Sequence, residues 1–196
     1  MYIIFEGIDT TGKSTQIELF KQRHENIITL KEPGNTELGK NLREIILNSE
    51  HKLSFNAELF LFLADRAQNF AENIKDNDEK MILSDRGLVS GIAYALANSE
   101  SLDIDFLIEL NKFALSGNLP DAVVLFKTTK ELIGQRLSQK DHDNIELRGI
   151  DYLLSVQELM EKVLKKLSVK VLMIDSSDTI ENIYKKIEGF IYDTSA

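Results

Sequence analysis

The chain has 196 residues, 43% of them apolar and 28% charged, with 23 Lys and Arg against 32 Asp and Glu, a formal net charge of −9 and a pI near 4.9. This is the composition of a folded protein of one domain, and the acid excess argues against non-specific binding to nucleic acid or anionic membranes. There is no cysteine, which excludes disulfides, thiolate metal sites and thiol catalysis.

The elements are expected in a strand–helix alternation. A first apolar run, Tyr2–Phe5, leads into a glycine-bearing turn and a helical pattern after Ser14. A second run, Ile27–Leu30, ends at Lys31-Glu32-Pro33-Gly34, and a helical pattern covers about Asn56 to Ile74. Met81–Leu83 precedes Ser84-Asp85-Arg86, and Ile104–Ser116 reads as a further helix before the run Ala122–Phe126. The polar stretch Ser138–Leu147 suits either a solvated loop or a lid. A long helical pattern at Ile150–Leu167, the run Val169–Ile174 and a last helix at about Thr179–Tyr192 complete the chain. Short apolar runs of this kind mark parallel strands buried on both faces. The expected fold is therefore α/β: a five-stranded parallel sheet with helices on both faces, as in a three-layer P-loop NTPase, in one domain over 1–196. Any ligand site then lies at the carboxyl ends of the strands. No apolar run approaches the roughly 18 residues of a membrane span, and the N-terminus lacks a secretory pattern, so a cytoplasmic protein is expected.

Gly7-Ile8-Asp9-Thr10-Thr11-Gly12-Lys13-Ser14 fits the phosphate-binding pattern G-x-x-x-x-G-K-[ST], between a predicted strand and a predicted helix. Backbone N–H groups and the helix N-terminus attract phosphate there without net basic charge. Lys13 is the expected point charge on the β- and γ-phosphates, and the Ser14 hydroxyl is the expected Mg²⁺ ligand. The pattern points to binding of a nucleotide's phosphates. A regulatory GTPase does not fit, because Asn111-Lys112-Phe113-Ala114 lacks the aspartate of a guanine-reading N-K-x-D, and Asp85-Arg86-Gly87-Leu88 has Leu where D-x-x-G needs Gly. Charged groups close the second and third strands, and Phe62 and Arg66 share one helix face at i, i+4. Taken alone, Phe62 reads as a core residue of the apolar run Leu59–Leu63 before it reads as a ligand contact, and Arg43 suits a surface salt bridge.

These segments together carry a resemblance. Phe5-Glu6-Gly7 through Ser14-Thr15, Lys31-Glu32-Pro33-Gly34, Leu61-Phe62-Leu63-Ala64-Asp65-Arg66, and Asp85-Arg86 followed by Ser90-Gly91-Ile92-Ala93-Tyr94 resemble, in order and spacing, the thymidylate kinases over essentially the whole chain. The resemblance implies Mg²⁺-dependent transfer of phosphate from ATP to dTMP. It implies donor contacts along Gly7–Thr15, stacking of thymine on Phe62, Arg66 near the acceptor phosphate, Arg43 on thymine O4, and Pro33 beside the base. It further implies Arg86 as the clamp on the acceptor phosphate and Asp85 with Ser14 at Mg²⁺. Asp9 is expected near the acceptor sugar and phosphate, Tyr94 against the sugar's 2′ carbon, and Ser90 and Gly91 along the same pocket. An attacking phosphate monoester needs no general base; cations must hold two repelling phosphates in line.

The chain departs from one branch of the family, which has an arginine after the acidic P-loop residue; here that position is Thr10. The transition-state cation is then expected from a lid at about 136–148, with Arg136 and Lys140 favoured and Arg148 a weaker choice. Asn35 stands where a second turn glycine is usual, and Ala95 where many relatives carry a thymine-binding glutamine. His24 and His51 are expected on the surface, His142 in the lid, and Asp175-Ser176-Ser177 near adenine. The resemblance also implies a homodimer through helices packed side by side. The rival readings are a deoxynucleoside kinase and a regulatory P-loop ATPase. Of the arginines, only Arg23 lies away from the acceptor motifs and the lid.

Overall fold

The computed structural model describes residues 1–137 and 148–195, apart from 51, 78 and 100. Five parallel strands form one sheet: β1 (Tyr2–Glu6), β2 (Ile27–Lys31), β3 (Met81–Asp85), β4 (Ala122–Lys127) and β5 (Lys170–Asp175), in the order β2-β3-β1-β4-β5. Each begins or ends within two residues of its apolar run. The ladders extend into the polar residues that follow, with Phe5 opposite Asp85 and Glu6 opposite Leu125. Glu6, Lys31, Asp85, Lys127 and Asp175 therefore end their strands along one edge of the sheet, the edge that builds the site.

Successive side chains of β1 point to opposite faces and feed two apolar layers. Tyr2 and Ile4 pack with Leu88, Val89, Ile92, Leu107, Val156 and Met160. Ile3 and Phe5 pack with Ile17, Phe20, Val124, Phe126, Ile183 and Ile187. The first layer is covered by α4 (Leu88–Asn98), α5 (Ile104–Ala114) and α7 (Ile150–Leu164), the second by α1 (Lys13–Arg23) and α8 (Ile180–Ser195). The parallel sheet with helices on both faces is thus the architecture the alternation predicts.

The helical pattern after Asn56 divides into α3 (Phe55–Asn69) and a π-helical turn, Phe70–Ile74, closed by Lys75 N donating to Phe70 O at 2.9 Å. Ser54 caps α3 and Asp103 caps α5 through their side chains. Both α5 and α7 stop two or three residues short of the expected ends. Three helices had no sequence assignment: α2 (Glu37–Asn48), α4 and α6 (Lys130–Leu137). In α4 the reason is physical. Leu88, Val89, Ile92, Ala93, Tyr94 and Ala95 are all buried, so the segment shows no polar stripe to mark a period of 3.6. Among the described residues, no helix is long and apolar enough to cross a membrane.

Candidate active site

The turn between β1 and α1 forms one wall of a cavity and folds back on Lys13. Gly7 has φ 144°, and a Cβ there would lie 2.6 Å from Phe126 O, so only glycine lets the chain leave β1 this close to β4. Lys13 is buried and donates to Gly7 O and Ile8 O, both at 2.9 Å. Burial, and then the charge of Arg86, pull its ammonium down to about 8. Ser14 Oγ donates to Asp85 Oδ2 at 2.5 Å, which joins the cradle to the end of β3.

Arg86 follows with φ 73°, a left-handed conformation that costs an arginine about 1–3 kcal/mol. Its N–H bonds Phe5 O at 2.9 Å, so the ladder holds this turn in place. The guanidinium donates from Nη1 to Gly7 O at 2.8 Å and Ser90 Oγ at 3.1 Å, and from Nη2 to Asp9 Oδ1 at 2.8 Å. Glu6 lies behind it, fully buried, and burial pushes its carboxyl above the ordinary range.

The opposite wall comes from β2, α2 and α3. The Glu32–Pro33 peptide is cis. Arg43 Nη1 donates to Pro33 O at 2.8 Å, and Gly34 N donates to Asp65 Oδ1 at 3.0 Å. Burial, reinforced by the nearby Glu32 charge, raises the Asp65 carboxyl to about 6. Arg66 is 3% exposed and committed to a network. Its Nε donates to Glu32 Oε2 at 2.9 Å, its Nη2 lies 2.9 Å from the same oxygen, and its Nη1 donates to Asn111 Oδ1 at 2.5 Å. Asn69 satisfies the other Glu32 oxygen at 3.1 Å. Gly91 brings the α4 backbone against this guanidinium, and a Cβ there would lie 3.0 Å from Arg66 Nη1.

One cavity of about 410 Å³ joins the two halves. It is lined by Asp9, Thr10, Thr11, Gly12, Lys13, Ser14 and Thr15 on the cradle side. Pro33, Arg43, Phe62, Arg66, Asp85, Arg86, Ser90, Gly91 and Tyr94 line the rest, with Lys31, Glu32 and Leu47. Gly7 and Ile8 stand behind this surface and turn their carbonyls to Lys13.

Other sequence expectations have different surroundings. Arg136 donates to Thr10 O at 2.7 Å and Ser176 O at 3.0 Å, bridging the cradle to the loop after β5. Lys140 and His142 fall in the segment 138–147, which lies outside the described residues, as does His51. Arg148 pairs with Glu58 at 3.0 Å and bonds Asn98 and Tyr152, and it does not line the cavity. Ala95 is buried in the core layer and does not line the cavity. His24 is half-buried rather than a surface residue, because its ring stacks on Phe20 and bonds Tyr184 OH at 2.7 Å. Sequence reasoning gave no role to Glu6, Glu32, Asp65 or Asn111. A carboxylate ending an otherwise apolar run was the signal available for Glu6. Asn111 stands in the sequence only within an incomplete guanine motif, which carries no signal of its bond to Arg66.

The family model for thymidylate kinase matches residues 5–187. Similar curated proteins include the thymidylate kinase of Sulfurovum sp., 54% identical with 97% of this chain and 99% of that protein covered. That of Campylobacter curvus is 53% identical, with the same coverage. A solved thymidylate kinase from Ehrlichia chaffeensis superposes with a TM-score of 0.77 at 22% identity, covering 97% of this chain and 98% of that one. One from Candida albicans gives 0.77 at 25% identity, covering 98% and 91%.

Proposed function

The chain belongs to the thymidylate kinase family and transfers phosphate from ATP to dTMP, giving dTDP and ADP, and from that premise we propose the following division of roles in its cavity. The observation that carries it is the continuity of the phosphate cradle with an acceptor wall through Arg86, which touches both Gly7 and Asp9.

ATP phosphates take the backbone N–H groups of Gly7–Thr15 and draw Lys13 away from its two carbonyls. Ser14 and Asp85 fit Mg²⁺: their oxygens already meet, both are hard donors, and among the described residues no cluster of three acidic or imidazole groups offers a cage of its own. Such a site, one carboxylate and one hydroxyl, suits a cation completed by substrate oxygens. When bound, Mg²⁺ neutralises charge on the β- and γ-phosphates. Arg86, aimed by its three acceptors, holds the acceptor phosphate in line with the cradle, and Asp9 fixes the guanidinium from the sugar side. The phosphate oxygen of dTMP then forms the new bond to the γ-phosphorus as the bond to ADP breaks.

For the other two arginines the electrostatics favour an exchange of the roles expected from sequence. Arg66 is neutralised by Glu32 and keeps N–H groups for an uncharged acceptor, which suits thymine O4. Arg43 has a carbonyl partner and, among the described residues, no carboxylate at ion-pair distance, so its charge is available to the acceptor phosphate. Phe62, one turn before Arg66, stacks on the base, beside Pro33. Tyr94 closes the pocket where a 2′-hydroxyl would sit, and Ser90 and Gly91 complete it. Arg136 serves the transferred group from its position on Thr10; Lys140 shares that role on spacing alone.

The whole chain is read as one working domain with its lid at about 136–148, acting in the cytoplasm. We also read it as a homodimer. Leu38 and Ile45 on α2, Phe60 on α3, and Phe106 and Phe113 on α5 leave apolar side chains exposed on neighbouring helices, and Phe113 is 87% exposed. A coupled assay comparing dTMP with thymidine tests the activity. ADP release with dTMP is expected; turnover of thymidine without dTMP, or of ATP without any acceptor, would overturn it.

A further inference from the structure

Glu6 ends β1 in the interior, with no exposure to solvent. Its Oε1 accepts the N–H of Val89 at 3.1 Å and of Ser90 at 3.2 Å. Its Oε2 accepts the hydroxyl proton of Ser90. These donors form the first turn of α4, where N–H groups have no partner within the helix and the dipole favours an anion. With its proton committed to Glu6, the Ser90 oxygen can only accept toward the cavity, and what it accepts is Arg86 Nη1, at 3.1 Å. The same nitrogen donates to Gly7 O, and Gly7 is joined to Glu6 by the chain. Of the two uncharged acceptors that aim Nη1, Ser90 Oγ is therefore held by the Glu6 carboxylate, while Gly7 O also accepts from Lys13 and Asp9 holds Nη2.

We propose that Glu6 is a positioning residue for phosphoryl transfer: its carboxylate makes the Ser90 hydroxyl an obligate acceptor, and that acceptor holds Arg86 toward the acceptor phosphate. The proposal rests on the role given to Arg86 above. An amide in place of the carboxylate still accepts the two backbone bonds. Its –NH₂, however, donates to Ser90 Oγ, and the hydroxyl proton is released to face Arg86, a donor against a donor.

The test is a double-mutant cycle of Glu6→Gln and Ser90→Ala, read by steady-state kinetics and thermal melting. Glu6→Gln is expected to lower kcat about tenfold or more, the effect of releasing one hydrogen bond to a charged group, with the ATP KM unchanged. Ser90→Ala should do the same, and the double variant should be no worse than either alone, because both break one link. A Glu6→Gln enzyme with lowered Tm and unchanged kcat, or losses that multiply in the double variant, would overturn the proposal. If Glu6→Gln does not fold, Ser90→Ala decides: a loss of about tenfold in kcat supports the link and a kcat equal to that of the unmodified enzyme refutes it. Arg86→Lys separates the two layers of the reading. Unaltered dTMP kinetics would remove the role of Arg86 itself. An impaired Arg86→Lys beside an unimpaired Glu6→Gln would remove only that of Glu6.

Discussion

Replacing Arg66 should damage stability and acceptor binding by separable routes. Arg66 and Glu32 are each 3% exposed and lie 2.9 Å apart. Arg66→Ala leaves a buried carboxylate whose remaining side-chain partner is Asn69. Breaking a desolvated pair from one side costs about 3–5 kcal/mol. In a chain of this size about 1 kcal/mol moves Tm by roughly 2–4 °C, so a fall of about 6–20 °C is expected. Removing both charges, as Arg66→Met with Glu32→Gln, should restore most of that loss, since the isolated charge is gone. It should not restore function. The double variant still lacks the N–H groups offered to the base, and a site left with an unpaired substrate oxygen should raise the dTMP KM about tenfold or more, with the ATP KM unchanged. Calorimetry and a coupled assay read the two effects. A single variant melting within about 2 °C of the unmodified protein, well below the fall expected for the pair, would show that it is not desolvated. A double variant with an unaltered dTMP KM would show that Arg66 does not touch the acceptor.

Three more outcomes follow from the same geometry. Asp65 holds its proton to about pH 6 when folded, against 3.8 unfolded, so folding stability falls as pH rises between these values, by about 3 kcal/mol for a two-unit shift. Asp65→Asn keeps an acceptor for Gly34 N and removes this slope; denaturation of both proteins across pH 4–7 should show the variant gaining relative stability up to about pH 6, and parallel curves would contradict it. Lys13, pulled down to about 8, is largely neutral at pH 9 in the free enzyme and recharged by ATP phosphates, so calorimetry in buffers of different ionisation enthalpy should detect proton uptake on ATP binding at pH 9. No uptake, or equal uptake by Lys13→Met, would refute that. Phe60→Asp with Phe113→Asp should yield monomers in light scattering at micromolar concentration with the fold intact by circular dichroism; a dimer of unchanged mass would place the interface elsewhere.

Where chemistry is contiguous in the chain, the sequence carries it. The cradle from Gly7 to Ser14 needs only its own residues, a strand before it and a helix after it. The five strands were legible because each is apolar through most of its length, although only β1, β3 and β4 are buried almost throughout and the edge strands β2 and β5 are partly exposed. The same property hid α4, whose burial on every side erased its period. The partner of Arg148 is not legible in the sequence, because nearness to the lid says nothing about Glu58, which meets it from α3.

The alphabet of the site was thus fixed locally: a phosphate loop, an aromatic and an arginine one helical turn apart, a carboxylate and an arginine closing a strand. Tertiary structure decided which charges remain available. Glu32, Arg66 and Asn111 come from the turn after β2, from α3 and from α5, and Glu6 reaches Ser90 across 84 positions. An arginine's capacity to bind phosphate depends on whether a carboxylate already neutralises it, and that is settled only when the sheet's carboxyl edge brings distant side chains within 3 Å of one another.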